Sequence, residues 1–117
     1  MEFTYKIEEK RDCSLLHFAG NLIEKSQAIE MLERFDELLN KEVKRFIIDM
    51  SGFRYMNSTG LNVLITILTR SRKAGGETII SSVPENIKSL MLITKLNNIF
   101  TVAENEEEAE KLLLKEA

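Results

Sequence analysis

The sequence predicts an α/β fold, an α+β sandwich in which a mixed β-sheet carries helices packed mainly on one face. Three observations predict it. Near the N-terminus, apolar residues alternate with polar ones, as in a half-buried strand. From Ser26 the apolar spacing changes to that of a helix. After Phe46, short apolar runs alternate with helical stripes, the pattern of strands joined by helical crossovers. The 117 residues are read as one domain over 1–117.

Phe3, Tyr5 and Ile7 alternate with Thr4, Lys6 and Glu8, which gives a first strand. Arg11 and Asp12 suit a turn, and Leu15 to Ala19 forms a second strand ended by Gly20 and Asn21. Ser26 is placed to cap a helix whose stripe is Ala28, Leu32, Phe35 and Leu39, stopping at Asn40. Phe46 to Met50 reads as a central strand ended by Ser51 and Gly52, with Phe53 to Met56 extended or in a loop. Leu61, Leu64, Ile65 and Leu68 mark a second helix, closed by Gly75 and Gly76. Glu77 to Ser81 is a strand. Ser82 and Glu85 have capping-box spacing ahead of Ile87, Leu90 and Met91, with Pro84 in the first turn. Ile99 to Val102 is the last strand. Asn105 and Glu108 cap a final helix lined by Ala109, Leu112 and Leu113, with Glu106 to Glu108 at its positive end.

Composition excludes several functions. Lys and Arg total 16 against 19 Asp and Glu, for a net charge of −3. That mixture lacks the clustered basic face of a nucleic-acid binder, so no nucleic-acid partner is expected. No apolar run approaches the roughly 18 residues of a membrane span, and no signal-peptide core is present. A cytoplasmic chain without direct membrane insertion is expected. One histidine, His17, and one cysteine, Cys13, cannot assemble a His/Cys metal cluster. Neither a phosphate loop nor a dinucleotide fingerprint occurs. His17 reads as a structural or exposed strand residue. Asp12, Asp36 and Asp49 are scattered, and no nucleophile elbow accompanies them. No cofactor, no metal and no enzyme activity are expected.

One segment carries more. Phe46-Ile47-Ile48-Asp49-Met50-Ser51 leads into Met56-Asn57-Ser58-Thr59-Gly60-Leu61-Asn62-Val63. It resembles the signature of the STAS family, the sulfate transporter and anti-sigma factor antagonist domains. There a buried strand ends in Asp, and an Asp-Ser-Ser/Thr-Gly-Leu motif then opens a helix. Gly20, Gly75-Gly76 and Ser82 to Leu96 extend the resemblance over nearly the whole chain. Two positions depart from it. Asn57 stands for the usual Asp, and Gly20 is followed by Asn21, Leu22 and Ile23 rather than by acidic residues. Asn caps a helix about as well as Asp, so the loop geometry is expected to survive and its charge is not.

The resemblance implies a switch in signal transduction and transcription regulation. The unphosphorylated form would bind a partner that is both anti-sigma factor and serine kinase of the ATPase type. Phosphorylation of Ser58 would release it. Met56, Asn57, Ser58, Thr59, Gly60, Leu61 and Val63 are the expected partner-binding residues, and the free chain is expected to be a monomer. Two alternatives stay open: a STAS subunit of a membrane lipid transporter that docks an ATPase, or a small-ligand sensor.

Overall fold

A computed structural model describes residues 2–116; positions 1 and 117 of the expected single domain lie outside the described residues. The strands are β1 (Thr4–Glu9), β2 (Ser14–Leu22), β3 (Arg45–Met56), β4 (Glu77–Ser81) and β5 (Thr101–Ala103). The helices are α1 (Ile29–Asn40), α2 (Ser58–Lys73), α3 (Glu85–Ile93) and α4 (Glu106–Glu116). The strands form one five-stranded sheet in the order β1-β2-β3-β4-β5. β1 and β2 pair antiparallel as a hairpin, and all later neighbours are parallel. A parallel neighbour needs a crossover, and α1, α2 and the α3 segment supply them.

Alternation along the sheet decides which residues meet. Leu16, Phe18, Phe46, Ile48 and Ile80 face one side, where they pack with Met31 and Phe35 of α1, Leu64 and Ile67 of α2, and Ile87 and Met91 of α3. The Phe35 and Phe46 rings lie 4.7 Å apart at their centroids. Leu15, Ile47 and Ile79 face the other side and are covered by Ala109 and Leu113 of α4. The mixed sheet with helices mainly on one face is therefore present, with α4 alone on the opposite face.

Several boundaries differ from those the sequence predicts. Gly20 does not end β2; it lies within the strand at φ +84, and pairing continues to Leu22. Ser51 and Gly52 do not end β3. The strand takes register shifts against β2 there and continues to Met56. Ser26 does not cap the first helix. A 3₁₀ turn over Lys25–Ala28 precedes α1, and the Gln27 side chain instead takes the amides of Ile23 and Glu24. The buried stripe of α1 is Met31, Phe35 and Leu38, while Leu32 and Leu39 are half-buried. Ser82 sits at φ 55 without a cap bond, and Pro84 is the N-cap of α3. Leu96–Asn98 forms a 3₁₀ turn, which delays the last strand to Thr101. Asn105 does cap α4, accepting from the Glu108 amide at 2.9 Å.

Candidate functional site

β3 and α2 meet at Asn57, so the sheet hands its longest strand directly to a helix N-terminus. Asn57 is extended (φ −107, ψ −163), as an N-cap requires. Its Oδ1 accepts from the amides of Thr59 at 3.0 Å and Gly60 at 3.3 Å. The Nδ2 donates to the Ile23 carbonyl at 3.1 Å. Ser58 is the first residue of α2, exposed, with no acidic residue in that first turn. Gly60 is buried because the helix start presses onto the end of β2; a Cβ there would lie 2.8 Å from the Leu22 carbonyl oxygen.

Beside Ser58 runs an open groove of about 470 Å³ between the loop and α3. Tyr55, Met56, Asn57, Ser58, Leu61, Asn86, Ile87, Leu90 and Thr94 line it, and none of them is charged. Asn86 on α3 ties the two walls together by donating to the Arg54 carbonyl at 2.7 Å.

The apolar members of the expected partner-binding set present little surface. Met56 is 1% exposed, Val63 4% and Leu61 8%. Val63 belongs to the core, and Met56 and Leu61 offer the groove only their edges. The apolar side chains that do face outward near the loop are Tyr55 and Ile23, 53% and 42% exposed. Sequence reading missed both. Tyr55 carries no local signal that separates it from Met56, because bulges in β3 break the alternation. The structure thus brings together Asn57, Ser58, Thr59 and Gly60 at one helix start. Met56 and Leu61 line the groove beside it, Val63 lies in the core, and Tyr55 and Ile23 add exposed apolar surface.

A second polar group lies on the sheet. His17 does not stand alone, and Asp49 is not unpaired: His17 Nδ1 is 2.7 Å from Asp49 Oδ2, and Nε2 is 3.0 Å from Glu8 Oε1. Burial pulls the imidazole pKa down, but the bonds to Asp49 and then Glu8 outweigh it and leave it raised. Asp49 is pushed up by burial, yet the Ser51 amide and His17 hold it below the ordinary value. Both ring nitrogens are engaged, so neither is free to activate a serine as general base. Burial raises the Cys13 thiol, which disfavours a thiolate. Among the described residues no group of three or more His, Cys, Asp or Glu side chains could hold a metal ion.

The family model of the STAS domain matches residues 4–109. The chain belongs to the STAS domain family. Among proteins similar to this STAS chain is BtrV of Bordetella bronchiseptica, named as a candidate anti-sigma factor antagonist. It is 22% identical over 101 residues, covering 86% of this chain and 87% of BtrV. A candidate anti-sigma factor antagonist from Thermotoga maritima has a solved structure 25% identical, with TM-score 0.81 over 96% of this chain and 94% of its own. The Bacillus cell fate determinant SpoIIAA in its phosphorylated form is 14% identical, with TM-score 0.73 over 93% of this chain and 99% of its own. That last likeness speaks for the fold alone.

Proposed function

We propose that this chain is a protein-binding switch of the anti-sigma factor antagonist kind. Its unphosphorylated form binds an anti-sigma factor that is also a serine kinase of the ATPase type, and phosphorylation of Ser58 releases that partner. The chain works in the cytoplasm, as a monomer when free, by binding and not by catalysis. One observation carries the reading: Ser58 offers an exposed hydroxyl at a helix start, on the rim of a groove with no charged lining residue. The relatives named as anti-sigma factor antagonists agree with it.

The physics favours a local switch. A phosphate adds about −1.5 to −2 charges at neutral pH. Within the chain the α2 N-terminus tolerates it, since the dipole contributes roughly 0.3–1 kcal/mol in its favour. At an uncharged contact the same phosphate must be desolvated, which costs several kcal/mol without a cation to meet it. Moving an equilibrium from about 1:99 to 99:1 takes about 5.5 kcal/mol. Desolvation and repulsion supply that without a change of fold.

The test is partner capture from cell extract with the wild type, Ser58→Ala and Ser58→Glu. The expected result is one kinase-like ATPase held by the first two and lost from the third, with all three equally folded. The same partner on all three variants would reduce Ser58 to part of a constitutive docking surface, as in the transporter-subunit alternative.

A further inference from the structure

We propose that Asn57 is a positioning residue that latches the β2–α1 connection onto the Ser58 loop, and that it does so only as an amide. The inference rests on reading this face as the docking surface, but the geometry behind it stands without a partner.

Two kinds of group meet the Asn57 side chain. The amides of Thr59 and Gly60 donate to Oδ1 at 3.0 and 3.3 Å. The carbonyl of Ile23, on a separate connection, accepts from Nδ2 at 3.1 Å. Donors on one side and an acceptor on the other fix the orientation of the amide. A carboxylate would satisfy the first pair and oppose the second, because it has no hydrogen to give and would face a carbonyl oxygen. The Asp usual in the resembling motif would therefore cap α2 and leave Ile23 untethered.

The tethered segment is a small polar frame. Gln27 Oε1 accepts from the Ile23 and Glu24 amides at 2.9 and 3.0 Å, and Nε2 donates to the Asn21 carbonyl at 3.3 Å. Asn57 joins this frame to α2. The consequence is that exposed Ile23, just after β2, is held at the same helix start that follows exposed Tyr55 in β3. At this position the chain carries a neutral tether, and the tether does not titrate.

The experiment uses the full chain, with amide exchange and carbonyl resonances followed by NMR for the wild type, Asn57→Asp and Asn57→Ser. At neutral pH, Asn57→Asp is expected to keep protection at Thr59 and Gly60 while Ile23 and Glu24 exchange about tenfold faster, the loss of one hydrogen bond. The Ile23 carbonyl-carbon resonance should move with them. As the pH falls through the titration of the introduced carboxyl, its protonated form regains a donor. Protection at Ile23 and Glu24 should then return toward the wild type measured at the same pH. Asn57→Ser, which caps without reaching Ile23, should show no such return. Unchanged exchange at Ile23 and Glu24 in Asn57→Asp would overturn the latch and leave Asn57 a plain helix cap. Partner capture does not enter this measurement, so latch and switch fail separately.

Discussion

Gly60 has no room for a side chain. A Cβ there would lie 2.6 Å from the Met56 Cβ and 2.8 Å from the Leu22 carbonyl oxygen, a core methylene and a backbone atom that cannot swing aside. Gly60→Ala is therefore expected to lower stability by about 1–3 kcal/mol, as overpacking does. Urea unfolding measures it, and a midpoint equal to the wild type's would mean the helix start shifts freely. At Asn57 two small effects oppose each other. Asn57→Asp gains roughly 0.3–1 kcal/mol from a charge at the helix start and loses about 0.5–1.5 kcal/mol with the Ile23 bond. Its global stability should change little, so the exchange measurement and not the melting temperature reveals the latch. The start of α2 at Ser58 was legible from the resemblance of Asn57-Ser58-Thr59-Gly60-Leu61 to the STAS signature, while the spacing of Leu61, Leu64, Ile65 and Leu68 marked the helix that follows. The bond from Asn57 to Ile23 was not, because nothing local in either segment marks the other as its partner.

The longest strands were the hardest to bound. Ser51, Gly52 and Gly20 read as stops, yet β2 and β3 pass through them, because their pairing with each other continues from Ala19↔Gly52 to Leu22↔Met56 and outweighs local preference. His17↔Asp49 is followed by Ala19↔Gly52, so β3 advances one residue more than β2 and its inward-outward pattern breaks. That irregularity hid Tyr55. The helices, by contrast, were legible because a period near 3.6 needs no knowledge of neighbours, although α1 buries Met31, Phe35 and Leu38 and leaves Leu32 and Leu39 of the expected stripe half-buried. The same three strands are cross-linked by Glu8, His17 and Asp49, from β1, β2 and β3. The raised His17 pKa means the folded state binds the proton more tightly than the unfolded chain does. This contribution is complete below the ordinary histidine value of about 6.5 and is lost as pH rises through the raised one. The lowered pKa values of Asp49 and Glu8 act in the opposite sense, and their contribution is lost as the solution turns acid. Wild-type stability should thus fall on the alkaline side of the histidine range, and His17→Gln should flatten that fall. Parallel denaturation curves for the two proteins across that range would sink this account.

Charge is unevenly placed over the whole molecule, and the two ends of the sheet differ. At the strand starts, Lys10, Arg11, Asp12, Arg45 and Glu110 line a groove of about 290 Å³. At the strand ends, the groove beside Ser58 has no charged lining residue at all. The net charge of −3 could not reveal this, since a sum carries no position. Nor could the sequence tell which helix takes the second face of the sheet; the α4 stripe of Ala109 and Leu113 would fit either side. The separation has a consequence for binding. Salt screens exposed charges beyond about 10 Å at 0.1 M and leaves apolar and neutral hydrogen-bonded contacts largely untouched. If the partner docks at the strand ends, its affinity for the unmodified chain should change by less than about threefold between roughly 50 and 500 mM salt. Titration calorimetry across that range makes the measurement. A steep fall with salt would place the docking energy on the charged end and detach it from Ser58. A flat response would support the proposed switch: a phosphate on Ser58 would be the first charge beside a groove whose lining residues carry none.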